Sequence, residues 1–314
     1  MLQLSRSDVL EAEQRIAGLV ARTPLIQTEI NHTFHHLKCE CLQTGGAFKL
    51  RGATNRLLKL SDEEKARGVV AFSSGNHARG VAIAAKRLGI RAVIVMPSDA
   101  PAVKVEGTRA EGAEIIFYDR HTENREAIAA AIAAESGATV VPSFDDRDIV
   151  AGQGTVGLEI LAELGDEPAA VVVPCGGGGL ASGIALALPK SRIIAVEPEG
   201  WDDMRRSLAA GRIVPVEADA PATLCDALQT PRVSPITFGI FQQRGVEVVS
   251  VSDGEVEAAM RFAWTKHQLV VEPGGAAGLA AVLAGKVQLS EDSVIVLSGG
   301  NVDPALHARI VGAS

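Results

Sequence analysis

Two rhythms of hydrophobic and polar positions run along the chain. Between Val69 and Phe144, β-branched runs ("VVAF", "AVIVMP", "EIIFYD", "TVVPSF") alternate with stretches of helical spacing ("GVAIAAKRLG", "VKVEGTRAEG", "NREAIAAAIAAESG"). Such alternation predicts parallel strands joined by crossover helices. A second series follows "DDRDIVAGQGT": helix "VGLEILAELG", strand "AAVVVP", helix "LASGIALAL", strands "IIAVEP" and "VEVVSV", helices "EVEAAMRFAWTKH" and "AAGLAAVLAG", and strand "VIVLSGG". Near the start, Ser7 reads as the N-cap of an amphipathic helix reaching about Val20, "HLKCECLQ" as a strand and "ATNRLLKL" as helix. The predicted fold is α/β, with open, mostly parallel sheets flanked by helices. Residues 59–145 are expected to form a small domain inserted in a larger one made of 1–58 and 146–314.

Composition narrows what such a fold would serve. At 314 residues, 47% hydrophobic and 22% charged, the chain can bury a large core, and 32 glycines supply many tight turns. A net charge of −8 argues against a nucleic-acid or anionic-membrane surface, leaving small molecules and protein subunits as partners. Cys39, Cys41, Cys175 and Cys225 show no paired spacing and read as small buried hydrophobes of a reducing compartment. No apolar run reaches the length of a membrane helix, and the charged start is unlike a signal peptide, so a cytoplasmic protein is expected.

Ligands of open parallel sheets bind beyond the carboxyl ends of strands. Four loops placed there are unusual: "SSGNH", "CGGGGL", "EPEGWDD" and "SGGN". Gly176, Gly177, Gly178 and Gly179, between a strand and a helix, let backbone N–H groups approach a phosphate, which the helix N-terminus also favours. The same segment meets a loose dinucleotide fingerprint, with Gly176, Gly178 and Ala181 at suitable offsets and Glu197 near the next strand end. An NAD-dependent oxidoreductase is therefore one alternative. Ser73, Ser74 and Asn76 offer hydroxyls, an amide and backbone donors at a helix start, suited to a carboxylate or phenolic oxygen. His77 and Ser298 decide nothing by residue type alone.

In the order and separation of "QTGGAFKLRGA", "SSGNHARGVA", "AGQGT", "GGGGL", "EPGGAAGLAA" and "SGGN", the chain resembles the fold type II pyridoxal-phosphate enzymes, specifically the serine/threonine dehydratase and serine racemase family. The resemblance covers nearly the whole chain. It implies pyridoxal 5'-phosphate as cofactor, bonded covalently to Lys49, with Asn76 at its ring oxygen, Gly176 to Gly179 at its phosphate and Ser298 at its pyridine nitrogen. It implies that Ser73, Ser74, Asn76 and His77 hold the substrate and that Lys49 takes the proton from its α-carbon. The implied reaction is α,β-elimination of a β-hydroxy amino acid (serine, threonine or 3-hydroxyaspartate) to a 2-oxo acid and ammonia. In racemase members the serine matching Ser74 is a second base, so racemisation is the alternative within the family. A non-catalytic amino-acid-binding protein is a third reading.

The segment "VEPEGWDD" adds a further likeness: Glu197, the Trp201 carbonyl and Asp203 match a divalent-cation site of the racemase branch, and hard oxygen ligands suit Mg²⁺ or Ca²⁺. The family likeness also implies a homodimer, and the short tail after "SGGN" gives no expectation of feedback control by isoleucine. Departures cluster near the substrate. Ala47 stands where serine is common, Arg79 where glutamine is usual, Arg147 where proline is frequent, and Gly274 where serine is usual, while Pro231 and Arg232 enter a loop that often carries serines. Bidentate pairing of arginine with carboxylates would suit a diacid substrate; the plainer expectation is that Arg79, Arg147 and Arg232 are surface charges.

Overall fold

The structure is a computed structural model describing residues 4–73, 75–100, 102–120 and 122–312. Ten strands are present among them: β1 (Leu25–Ile30), β2 (Thr33–Lys38), β3 (Val69–Phe72), β4 (Ala92–Pro97), β5 (Glu114–Tyr118), β6 (Thr139–Val140), β7 (Ala170–Pro174), β8 (Arg192–Pro198), β9 (Glu247–Val251) and β10 (Val294–Val296). They form a six-stranded sheet in the order β1-β2-β10-β7-β8-β9 and a four-stranded sheet in the order β5-β4-β3-β6. Every pairing is parallel except the β1–β2 hairpin. The mostly parallel α/β architecture read from the sequence is the one observed.

The continuous apolar strands follow from burial on both faces. Val171 and Val173 of β7, Ile193 and Ala195 of β8, and Val294 and Val296 of β10 pack on one side of the larger sheet. Their neighbours Val172, Ile194, Val196 and Ile295 pack on the other. The smaller sheet repeats the scheme, with Val69, Ala71 and Ile94 on one face and Val70, Val93 and Val95 on the other. Leu50, Ala53 and Leu57, from the helix Lys49–Leu58, join the first of those two faces. That helix also presses on the helix Arg147–Leu164, where a Cβ on Gly52 would lie 2.7 Å from the Ile149 carbonyl. The glycines of "RGA" and "AGQG" thus serve close helix packing at the seam between the two sheets.

Local boundaries differ from the sequence reading in three places. The first helix is Arg6–Ile16, capped by Ser5 and not Ser7: the Ser5 N–H donates to the Asp8 carboxylate at 2.8 Å. Strand β2 ends at Lys38, and Glu40–Leu42 forms a 3-10 turn, so Cys39 and Cys41 leave the strand although both stay buried. "RDIVAGQGT" is helical, because Asp146 Oδ1 caps it by accepting from the N–H groups of Asp148 and Ile149 at 2.8 and 3.0 Å. The glycines there suggest a loop, and tertiary packing overrides that propensity. No described helix is long and apolar enough to cross a membrane.

Candidate active site

Lys49 opens its helix directly after a turn in which Gly45 and Gly46 take left-handed φ values of 80° and 76°. Ala47 then runs extended and forms an isolated antiparallel bridge with Gly299, while the Phe48 N–H donates to the Ser298 carbonyl at 3.2 Å. Two residues along and so on the opposite face, the fully buried Arg51 fixes the helix from behind. Its guanidinium donates to Glu40 at 2.7 and 2.8 Å and to Glu159 at 2.6 and 2.9 Å, and Lys38 pairs with Glu159 and Glu163, both at 2.9 Å. The Lys49 amine donates to the Ser143 carbonyl at 2.9 Å. Burial lowers its pKa from 10.5 to about 8, which keeps an appreciable share of neutral amine near neutral pH.

The carboxyl ends of β3, β7 and β10 converge on a cavity of about 120 Å³ whose lining includes Lys49, Ser73, Asn76, His77, Gly176 to Gly179 and Ser298. Ser74 lies outside the described residues. His77 lines the cavity, yet its Nε2 donates to the Val141 carbonyl at 2.9 Å, and burial followed by the nearby Lys49 charge lowers its pKa to about 3. It is neutral at physiological pH. The glycine run leads from β7 into the helix Gly179–Ala187, so the unpaired N–H groups of that helix start border the cavity. A Cβ on Gly176 would come 2.9 Å from Thr230 Oγ1, one on Gly177 would collide with the Phe144 ring, and Gly178 has φ +83°. Four glycines therefore exceed what a strand-to-helix turn requires.

A sequence profile for the family described as "Pyridoxal-phosphate dependent enzyme" matches residues 16–299. The chain belongs to that family. It is 43% identical over 320 residues to the L-threo-3-hydroxyaspartate ammonia-lyase of Saccharomyces cerevisiae, covering 99% of this chain and 97% of that one. It is 39% identical over 313 residues to the serine racemase of Schizosaccharomyces pombe, covering 97% and 96%. Among solved structures, maize serine racemase superposes with a TM-score of 0.92 at 38% identity, covering 97% of this chain and 96% of that one. The NAD alternative is corrected accordingly. Glu197, which would have to meet a ribose, instead accepts from the N–H groups of Met204 and Arg205 at 2.9 and 3.0 Å.

The cavity residues suit the cofactor of a pyridoxal-phosphate dependent enzyme. The glycine run provides a cradle that any Cβ would obstruct, and the amine is held half-buried at its edge. The Asn76 amide nitrogen donates to Glu272 Oε1, and Glu272 Oε2 is buried without a partner among the described residues. Burial lifts the Glu272 pKa to about 7.

Three further charged lining residues escape motif reading, Lys104, Arg125 and Asp226, while Glu272 opens the quoted "EPGGAAGLAA" without having been given a role. Lys104 and Asp226 form an ion pair between the helix Ala102–Arg109 and the loop after Cys225. The Arg125 guanidinium lies 5.7 Å from the Phe72 ring centroid and makes no ion pair among the described residues. Arg125 also lines an adjoining cavity of about 600 Å³, which Arg232 borders. A signal for Arg125 existed: it starts the helix Arg125–Ser136, where a cation opposes the helix dipole. Arg232 is exposed, whereas Arg147, 3.8 Å from Asp8, and Arg79, hydrogen-bonded to Asn301, are both half-buried, so the surface-charge expectation holds for Arg232 and fails for Arg79.

Glu197 and Asp203 are both buried at the carboxyl end of β8. Burial, and then the Asp203 charge, raises the Glu197 pKa well above the usual carboxylate range, and burial lifts Asp203 to about 7. Asp203 Oδ2 has no hydrogen-bond partner among the described residues. Trp201 turns its indole N–H to the Pro221 carbonyl at 2.8 Å. No group of three or more His, Cys, Asp or Glu side chains that could hold an ion occurs among the described residues.

Proposed function

We propose that this chain is a pyridoxal-phosphate dependent ammonia-lyase that converts a β-hydroxy amino acid to a 2-oxo acid and ammonia, with L-threo-3-hydroxyaspartate as the favoured substrate. The observation that carries the diacid preference is the Arg125 guanidinium, which borders the same cavity as the Lys49 amine and has no carboxylate partner among the described residues. Buried or half-buried guanidinium groups are seldom left unpaired, and a planar fork of donors matches a second carboxylate. Identity of 43% to two ammonia-lyases of that name supports the reading.

Within it, Lys49 would carry the cofactor, Gly176 to Gly179 and the helix start would hold its phosphate, Asn76 would donate to its ring oxygen, and Ser298 would offer a neutral hydroxyl to its ring nitrogen. Bound pyridoxal phosphate supplies a sink for the electron pair left at the substrate α-carbon. The chain's own residues do the rest. Lys49, released as a free amine and predisposed to neutrality by burial, takes the α-proton; Ser73 and the loop leading to Asn76 grip the α-carboxylate; Arg125 pairs with the distal carboxylate. Ser74 belongs to this reading as the candidate second base, and racemisation is kept as a second reading on the 39% identity to a serine racemase.

The proposal includes a Mg²⁺ or Ca²⁺ ion held by Glu197, the Trp201 carbonyl and Asp203, since two buried carboxylates with one unpartnered oxygen gain most from a cation. It treats the two sheets as two domains, 59–145 being the smaller, with the helix Lys49–Leu58 on their seam. A homodimer rests on the family likeness alone, and a cytoplasmic location on the sequence reading of a reducing compartment.

Purified protein loaded with cofactor is assayed for 2-oxo acid from L-threo-3-hydroxyaspartate, L-serine and L-threonine, with chiral analysis of unreacted substrate. The expected result is the highest kcat/KM on the diacid and a drop of about 100-fold for that substrate alone in Arg125→Gln, the scale of one lost charged hydrogen-bond pair. Equal efficiency on all three substrates, or an equal loss on all three in the variant, refutes the diacid assignment. Absence of any 2-oxo acid refutes the lyase.

A further inference from the structure

Three side chains connect the half-buried Arg79 to the cavity. Arg79 Nη1 donates to Asn301 Oδ1 at 3.0 Å, Asn301 Nδ2 donates to Asn76 Oδ1 at 2.8 Å, and Asn76 Nδ2 donates to Glu272 Oε1. Asn301 Nδ2 also donates to the Gly45 carbonyl at 2.8 Å. A Cβ on Gly46 would collide with Asn301 Oδ1, so the second glycine of the pair ahead of Lys49 leaves the space this amide occupies.

The direction of the chain is set at its two ends. A guanidinium can only donate, so the Asn301 oxygen turns to Arg79; a backbone carbonyl can only accept, so the Asn301 NH₂ turns to Gly45 and Asn76. Asn76 must then offer its oxygen to Asn301, which leaves its NH₂ pointing at Glu272 and the cavity. Asn301 is the only side-chain hydrogen-bond partner of Arg79 among the described residues. A full positive charge at the head of consecutive amides polarises each in turn, making the terminal NH₂ a stronger donor than a neutral head group would.

We infer that Arg79 is a positioning residue: through Asn301 it fixes the orientation of the Asn76 amide and strengthens its NH₂ as a donor toward the cavity. The inference rests on the proposed cofactor site and assigns a task to the arginine that stands where relatives commonly carry glutamine. The Gly45 carbonyl holds one end of Asn301 by itself, so removing Arg79 loosens and weakens the relay without abolishing it.

The test compares Arg79→Met, which has no donor, with Arg79→Lys, which keeps donor and charge, and Arg79→Gln, which keeps a neutral donor. In the cofactor-free, ¹⁵N-labelled protein, the Asn76 side-chain amide cross-peaks should shift in Arg79→Met and hold near the wild-type position in Arg79→Lys, with Arg79→Gln between. In the loaded protein, Arg79→Met should bind pyridoxal phosphate about tenfold more weakly, the scale of one part-buried hydrogen bond, with a displaced visible band. In an Asn301→Ala background the same change at Arg79 should have no further effect. Unchanged Asn76 cross-peaks in Arg79→Met, or additive losses in the double variant, overturn the inference. A wild-type protein that binds no cofactor counts against the proposed function, while the amide cross-peaks still report on the relay. Should Arg79→Met fail to fold, the Lys and Gln variants still rank the effect of charge, and equal cross-peak positions in those two exclude polarisation through the relay.

Discussion

The depressed pKa of Lys49 leads to a quantitative prediction about cofactor capture. An amine attacks an aldehyde only as the free base, so the fraction of neutral Lys49 sets how fast the cofactor-free protein bonds pyridoxal phosphate. With a pKa of about 8, about 9% of the amine is neutral at pH 7, against about 0.03% for an ordinary lysine, an advantage of about 300-fold. By pH 9 the two fractions are about 90% and about 3%, and the advantage shrinks to about 30-fold. The assay mixes cofactor-free protein with pyridoxal phosphate in a stopped-flow instrument and follows the visible band across that range. Each rate is divided by the rate for Nα-acetyl-lysine amide, whose only amine is the side chain's, at the same pH, so that the cofactor's own protonation cancels. Lys49→Ala, which should show no band, is the control.

The ratio should fall about tenfold between pH 7 and pH 9. A ratio that stays constant means that Lys49 titrates like a solvent-exposed lysine and that its surroundings do not desolvate it. The same depression has a stability consequence. The neutral form is the one the fold favours, so the contribution is present at pH values above the ordinary lysine pKa and is lost as pH falls through about 8.

Two other predictions concern buried charge. Arg51→Met leaves Glu40 without a cation and Glu159 with only Lys38, so urea unfolding should show a loss of about 3–5 kcal/mol, the usual result of removing one member of a buried ion pair; a loss below about 1 kcal/mol contradicts the view that this network anchors the helix Lys49–Leu58. At the Glu197–Asp203 pair, raised carboxylate pKa values give a term that stabilises at low pH and is lost as pH rises through about 7. Millimolar Mg²⁺ or Ca²⁺ should therefore raise Tm more at about pH 8 than at about pH 6, and the increment should vanish in Asp203→Asn; an increment independent of pH, or retained in Asp203→Asn, refutes the cation site.

The parts of the site that were legible in the sequence are those whose chemistry is contained in a few adjacent residues. Gly176 to Gly179 announce a close backbone approach wherever they fall, and a strand before and a helix after place that approach at a sheet's carboxyl end. Asn76 is found the same way, whereas Lys49 reads as an ordinary cation by itself and is picked out only by the order of motifs along the chain. Arg125, Lys104 and Asp226 are found in neither way, because each begins or adjoins an ordinary-looking helix or loop and gains its meaning only when the two sheets face one another across the cavity. Arg51 reads as one more cation in a helical stretch, and only the fold shows it enclosed by Glu40 and Glu159. Helix boundaries failed for a related reason: the glycines of "AGQG" lower helix propensity, but they are what permits Gly152 and Gly52 to meet.

The sequence places Ala47 and "SGGN" some 250 residues apart, and the antiparallel bridge between Ala47 and Gly299 makes them one structural unit. The Gly300 N–H donates to the Gly46 carbonyl at 2.8 Å and the Phe48 N–H to the Ser298 carbonyl at 3.2 Å, so the start of the Lys49 helix is pinned to the loop that also carries Ser298 and Asn301. A shift of that loop must therefore move the lysine amine, the Ser298 hydroxyl and the Asn301 amide together. The buried Ala47, at 3% exposure, suits this seam because it brings no polar group that would need a partner there. With serine in its place the seam would have to satisfy one more hydroxyl. The neighbouring relay already commits Asn301 to Gly45, Asn76 and Arg79, so that hydroxyl would have to find its partner elsewhere in the seam or toward the cavity. Alanine at 47 and arginine at 79 thus act on one seam, the first adding no competitor for hydrogen bonds and the second supplying a charged donor to the neighbouring amides.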